Sequence, residues 1–471
     1  MRLLWGLLLA LPLAAAVRPN IVLVMADDQG WGETGYNGHP YLQTPVLDEM
    51  ATSGLLFDRF YAAAPNCSPT RTSILTGRHP NRSGVFAPNH STRPEEVSIA
   101  QILRSAGYRT GHFGKWHVGA VKAASPTNPA RMGYEEYLAH DNFFELDPPL
   151  SRNGEDPEIV HGESSKICVD AAVEFLRAVR SEGPAPVFVT LWFGSPHSPY
   201  RALPRDAGLY RHVPGKELGD RFAEITAMDR ALGEFRSALR ELGIAESTLL
   251  WYTSDNGITV EGIPEDQRAN LHNGGWRGRK GSLYEGGLRV PGIIEWPEVI
   301  REPRRTSVPA VSTDIFTTLL ALLGLRHPVP DRPLDGIDLT PLIVEGSMAR
   351  RPSPIGFWRY DRKAEDGNPR WMDPSLTRGT TPTTRNPAID FVNFKHPVAK
   401  TSDFGGTAAW MDGRYKLVRT RTEAPELYDL LSDPKEKRDI AEERPDRVRD
   451  MRMQMEAWQR SVERSLAGQD Y

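Results

Sequence analysis

Ile21-Val22-Leu23-Val24-Met25-Ala26-Asp27-Asp28 is an unbroken apolar run that ends on two carboxylates. A short run rich in β-branched residues suits a strand buried on both faces, and such a strand needs cover on both sides of its sheet. Similar runs recur at 187–193, 249–252 and 292–296. Helical patterns lie between them. Residues 45–53 follow Thr44 as a cap and stop at Gly54, and residues 95–106 stop at Gly107. Phe222, Ile225, Met228, Leu232, Phe235 and Leu239 mark one face of a longer helix. Strands alternating with helices predict an α/β architecture, a large sheet sandwiched by helices.

Each of the first three runs is followed by polar groups: Asp27-Asp28, then Pro196-His197, then Ser254-Asp255-Asn256-Gly257. In open α/β sheets ligands collect beyond the carboxyl ends of the strands, so these distant segments are expected to converge. Three carboxylates and an amide oxygen make a hard oxygen site suited to Ca²⁺ or Mg²⁺. Zinc would call for more imidazole or thiolate. Taken singly, Asp27-Asp28 also reads as a cap and Ser254 to Gly257 as a plain turn.

Working outward, Cys67-Ser68-Pro69-Thr70-Arg71 places a thiol at the head of a predicted helix. Pro69 suits a first helical turn, whose free N–H groups and dipole favour an anion near Cys67. Arg71 adds a permanent cation one turn later. The thiol is then an activated nucleophile or the precursor of something more reactive. A disulfide with Cys168 is the alternative, and spacing leaves it open.

The run from Cys67 through Arg71 to Thr72-Ser73-Ile74-Leu75-Thr76-Gly77-Arg78 resembles the first signature of the type I sulfatases, and Gly107-Tyr108-Arg109-Thr110-Gly111-His112-Phe113-Gly114-Lys115-Trp116-His117-Val118-Gly119 resembles the second. The segment 275–291, carrying Lys280, and Pro196-His197-Ser198-Pro199 are similar to two further family segments. The resemblance implies an alkaline phosphatase-like fold with a large mixed sheet and a smaller C-terminal α+β subdomain. It also implies hydrolysis of a sulfate ester, with Cys67 oxidised to formylglycine (3-oxoalanine) by a formylglycine-generating or sulfatase-maturing enzyme. Asp27, Asp28, Asp255, Asn256 and the modified Cys67 are the implied ligands of one Ca²⁺. Arg71, Lys115 and Lys280 are the implied cations around the sulfate, His197 the general acid and His117 the base that drives sulfate release. The implied cycle is covalent: one hydroxyl of the hydrated aldehyde attacks sulfur, the alcohol leaves, and the second hydroxyl collapses to expel sulfate. A phosphomonoesterase or phosphodiesterase of the same superfamily, or a non-catalytic sulfated-glycan-binding protein, are the rival readings.

The chain has 471 residues, 39% hydrophobic and 25% charged, enough for a substantial core and about two or three domains. Its net charge of −4 gives no global field for nucleic acid or an anionic membrane. Met1-Arg2, the apolar stretch 3–17 and Ala14-Ala15-Ala16 read as a signal peptide over 1–16, pointing to a secreted or periplasmic protein without a stable membrane span. An uncleaved anchor is the alternative. A catalytic domain over 17–348 and a subdomain over 349–471 follow from the Gly, Pro and charged residues near 345–354. In the latter, 415–418 and 426–430 read as two strands, and Val448, Met451, Met455, Trp458 and Val462 as the inner face of a final helix packed on its own domain. Residues 357–410 look too polar for core and read as a surface connection or a substrate-shaping loop. A sulfated carbohydrate is the expected substrate, with His90, Asp141, Asn142, His161 and His272 as loop residues able to meet a sugar.

Overall fold

The computed structural model describes residues 18–360, 368–396, 406–420 and 424–471. The proposed signal peptide lies outside them. Among the described residues, no helix is long and apolar enough to cross a membrane.

Ten strands form the main sheet, in the spatial order Arg304–Thr306, Leu55–Phe57, Gly292–Glu295, Thr248–Ser254, Asn20–Ala26, Val187–Trp192, Arg109–Lys115, Glu136–His140, Pro149–Arg152, Glu158–Ile159. Its centre, from Thr248–Ser254 to Glu136–His140, is parallel, and antiparallel strands flank it on both sides. Alternation divides the first strand between two cores. Val22 and Val24 pack under the helices Pro45–Ser53, Ser164–Glu182 and Lys216–Glu241, whereas Ile21, Leu23 and Met25 face Cys67–Thr76, Ile99–Ser105 and Thr313–Leu322. Burial on both faces explains the continuous apolar run.

Several expectations change in detail. The helix expected over 95–106 spans Ile99–Ser105, because Ser98 and Gln101 close a reciprocal capping box. Thr44 precedes the helix Pro45–Ser53 without capping it; the Asp229 carboxylate accepts from Val46 N and Leu47 N instead. Pro69 is the third residue of its helix, which starts at Cys67 and ends at Gly77 with φ 68°. Cys67 and Cys168 are both free and buried, and Cys168 belongs to the core.

The C-terminal part has a four-stranded antiparallel sheet, Ile355–Arg359, Thr407–Asp412, Tyr415–Arg419 and Glu426–Asp429, two strands more than expected. The helix Pro445–Leu466 lays Met451, Met455 and Val462 against it. Phe357, Trp358, Phe391 and Phe394 are buried, so 357–410 contributes to the core despite its polarity. A further cluster joins Tyr61, Leu283 and Leu288 of the larger part to Phe357, Met411 and Tyr428 of the smaller.

A buried ionic knot sits at the same junction. Lys416 Nζ lies 3.0 Å from Glu285 and 2.9 Å from Glu436, and Glu436 also accepts from the Glu285 N–H. Lys416→Met would take the shared cation from two buried carboxylates, leaving Glu285 with the longer ion pair to Arg289 at 3.5 Å, a change expected to cost about 3–5 kcal/mol. Denaturant unfolding checks this; a loss below about 1 kcal/mol, the range of an exposed pair, would contradict it.

Candidate active site

Strand register brings the acids together. Asn20–Ala26 pairs in parallel with Thr248–Ser254 so that Ala26 lies opposite Ser254, and the next residues of each strand leave the sheet side by side. Asp28 N then donates to Asp255 Oδ1 at 3.0 Å. Val187–Trp192 and Arg109–Lys115 end at the same edge, delivering the loop of His197 and the side chain of Lys115. From the opposite core, the helix Cys67–Thr76 points its first residue into this edge.

Cys67 Sγ is ringed by oxygens: Asp27 Oδ1 and Asn256 Oδ1 at 3.6 Å, and Asp28 Oδ1 at 4.0 Å. Asn256 Nδ2 is spent on Asp28 Oδ1 (2.7 Å) and the Gly257 carbonyl (3.0 Å), which turns its oxygen toward the sulfur. The far carboxylate oxygens hold lysines, Lys115 Nζ at 2.6 Å from Asp27 Oδ2 and Lys280 Nζ at 2.8 Å from Asp28 Oδ2. Arg71 stands behind, with Nη2 at 2.7 Å from Asp255 Oδ2, Nη1 donating to the Lys115 carbonyl at 2.9 Å, and its guanidinium over Trp192. The residues expected from the sequence therefore converge, apart from His117, which enters through Asn89. One ligand atom each from Asp27, Asp28, Cys67 and His197 lie within 4.8 Å of one another. Two carboxylates and an inward-turned amide oxygen suit a hard divalent cation.

The electrostatics follow from burial. Burial pushes the Cys67 thiol well up, against the pull of Lys115 and Lys280. Cys67 is thus a neutral thiol at physiological pH, a poor nucleophile despite its helix end and cations. Asp255, dry and beside Asp27, is pushed up to about 6. Against the same burial, Lys280 and then His197 hold Asp28 well below the carboxylate range, and Asp28 holds the Lys280 ammonium well above the lysine range.

Both imidazoles are driven neutral. Burial, then Lys280, push His197 down to about 3. Its Nδ1 lies 2.7 Å from the Ser198 carbonyl and must carry the hydrogen, leaving the Nε2 lone pair facing Lys280 Nζ at 3.3 Å. His197, expected as the general acid, thus rests without a proton on Nε2. His117, with φ 57°, is pushed well down by burial and by Lys115. Its Nε2 is 2.7 Å from Asn89 Oδ1 and 3.3 Å from Asn89 N; the shorter contact, to an oxygen that can only accept, places the hydrogen on Nε2 and leaves the buried Nδ1 a free acceptor.

Some supports escaped the sequence reading. Asn89 orients His117 and is itself held by Ser68 Oγ at 3.0 Å. Arg221, paired with Glu33 at 2.6 Å, donates to the Asp28 carbonyl (2.8 Å) and the Pro196 carbonyl (2.8 Å), clamping two site loops. A buried arginine beside Phe222 on an otherwise apolar face was the available signal. Phe143 stacks on His197 at 4.3 Å. Of the loop residues, Asp141 spends its carboxylate on Val121, Thr380 and Thr381, His161 is exposed beside Asp147, His272 packs against His39, Asn142 reaches Asn89 at 3.4 Å, and His90 pairs its backbone with Val392.

A large mixed sheet between helices, with a small antiparallel sheet appended and acids gathered at the strand ends, defines an alkaline phosphatase-like fold. The sulfatase family model matches residues 19–325, and the chain belongs to the sulfatase family, a sulfuric ester hydrolase. It is 32% identical to N-acetylgalactosamine-6-sulfatase of Mus musculus over 367 residues, covering 71% of this chain and 68% of that protein. It is 32% identical to arylsulfatase A of Homo sapiens over 466 residues, covering 91% and 85%. The solved structure of Ps i-CgsB with k-i-k-neocarrahexaose matches the fold with a TM-score of 0.76 at 24% identity, covering 94% of this chain and 92% of that one.

Asn89→Ala should lower kcat for sulfate release about 10- to 100-fold, because His117 loses the partner that sets its tautomer. Steady-state kinetics together with a melting curve check this, and an unchanged kcat in a folded variant would contradict it.

Proposed function

We propose that the protein hydrolyses a sulfate ester on a carbohydrate, using formylglycine derived from Cys67 and a bound Ca²⁺. The observation that carries the reading is the ring of oxygens and lysines around a buried, un-ionised Cys67 Sγ. Such a sulfur is badly placed to act as a thiolate and well placed to be replaced by oxygen. The carbohydrate is supported by relatives named for sulfated sugars and by a fold neighbour solved with D-glucosamine-2-N,6-O-disulfate. The apolar N-terminal run supports export through a signal peptide.

Formylglycine, once hydrated, supplies one hydroxyl to attack sulfur and a second whose collapse to the carbonyl releases sulfate. A cation held by Asp27, Asp28, Asp255 and Asn256 supplies Lewis-acid stabilisation of negative oxygen when bound. The remaining work belongs to this chain's side chains. Asp27, Asp28 and Asp255 balance Arg71, Lys115 and Lys280 in charge, so the divalent ion leaves a surplus of positive charge to match the sulfate. Lys115 and Lys280 bind its oxygens. Lys280 holds the proton in the resting site and faces His197 Nε2, and this pair protonates the leaving oxygen. His117 Nδ1, neutral and unpartnered, takes the proton of the second hydroxyl.

Release of sulfate from sulfated oligosaccharides tests the reading, with 4-nitrophenyl phosphate as the control. Phosphate turnover with negligible sulfate turnover would overturn it. Chelation should abolish activity, with Ca²⁺ restoring it better than Mg²⁺; full activity in excess chelator would contradict the metal assignment. His197→Ala should cost about 10²–10⁴-fold on a sugar sulfate and far less on 4-nitrophenyl sulfate, whose leaving group needs little protonation. Equal losses on both would remove His197 from proton transfer.

A further inference from the structure

Every cation inside the site already has a close carboxylate partner. Arg71 and Arg221 each have a carboxylate oxygen within 2.7 Å, and Lys115 and Lys280 within 2.8 Å. Two arginines just outside are different. Arg385 is 41% exposed, and its nearest acidic partner among the described residues is Glu261 at 3.7 Å, itself 51% exposed. Its remaining polar side-chain contact is Ser198 Oγ at 3.4 Å, one residue from His197. Arg201, 54% exposed, stands 3.5 Å from Glu145.

Both arginines flank the same side of the site. Thr384 Oγ1, next to Arg385, donates to the two oxygens of Glu145 at 2.6 and 2.9 Å, the carboxylate that Arg201 approaches. The segment carrying Arg385 is pinned elsewhere too: Asp141 accepts from Thr380 N, Thr381 N and Thr381 Oγ1, and the Pro382 carbonyl lies 3.1 Å from His140 Nε2. Arg385 therefore sits on a segment held in place by His140, at the end of the Glu136–His140 strand, and by Asp141 and Glu145 just after it.

The direction of the opening makes this position meaningful. Cys67, Asp27 and Lys115 are sealed from solvent, whereas the Lys280 and His197 side chains are 14% and 8% exposed. The leaving alcohol must lie on that open side, toward Ser198 and Arg385. We propose that Arg385, assisted by Arg201, binds a second anionic group on the substrate, a carboxylate or another sulfate on the sugar that leaves or on its neighbour. An incoming anion would replace the long contact to exposed Glu261 with a charge-assisted hydrogen bond. The inference rests on sulfate ester hydrolysis and narrows its substrate to a multiply charged glycan.

The test compares kcat/KM of the matured protein on three disaccharides: one with a single sulfate and no other charge, one with a sulfate and a uronate carboxylate, and one with two sulfates and no carboxylate. The ratio of a doubly charged to the singly charged substrate should fall about tenfold or more in Arg385→Gln, through KM, and be partly kept in Arg385→Lys. Loss confined to one doubly charged substrate would name the anion. Ratios unchanged for both, or a fall in kcat shared by all three, would overturn the inference. If the unsubstituted protein releases sulfate from none of them, nor from 4-nitrophenyl sulfate, the underlying reaction fails instead.

Discussion

The in-register parallel pairing of Asn20–Ala26 with Thr248–Ser254 decides where the chemistry is. A one-residue slip would exchange the two faces of each strand and also separate Asp27-Asp28 from Asp255-Asn256. Because both faces are packed, with Val22 and Val24 in one core and Ile21, Leu23 and Met25 in the other, such a slip is strongly opposed. The packing energy of the sheet therefore holds the acids together against their mutual repulsion. The Arg221–Glu33 pair then fixes the loops that leave these strands.

Dryness is the second constraint. Three carboxylates and three cations share a volume nearly sealed from solvent, with Lys280 14% exposed at its open side, so each charge survives largely through its neighbour. Where burial outweighs the neighbours, the charge is given up: Cys67 keeps its proton despite Lys115 and Lys280, His197 stays neutral despite Asp28, and His117 stays neutral among cations. A neutral sulfur at the centre of a ring of charged groups is a wasteful nucleophile. An oxygen at the same place would use the ring fully.

Much of this was legible in the sequence because it was written locally. Apolar runs followed by acids located the strand ends, and the Cys67 pentapeptide located the buried sulfur around which those acids gather. Contacts between residues far apart in the chain were not legible. Asn89 orienting His117, Arg221 clamping Asp28, and Asp229 replacing Thr44 as a helix cap depend on tertiary proximity. The stretch 357–410 misled because its few aromatic residues lack a period, yet Phe357, Trp358, Phe391 and Phe394 each find the core singly. The resting protonation of His197 was likewise invisible, since it is set by burial and by Lys280 from another segment.

The central claim is that Cys67 works only after its sulfur has been replaced. Mass spectrometry of the Cys67 peptide, run on preparations matured to different extents and assayed in parallel for sulfate release, tests it directly. The account predicts turnover proportional to the fraction of peptide in which sulfur and two hydrogens have been exchanged for one oxygen. Full turnover by protein in which Cys67 remains a thiol would contradict it.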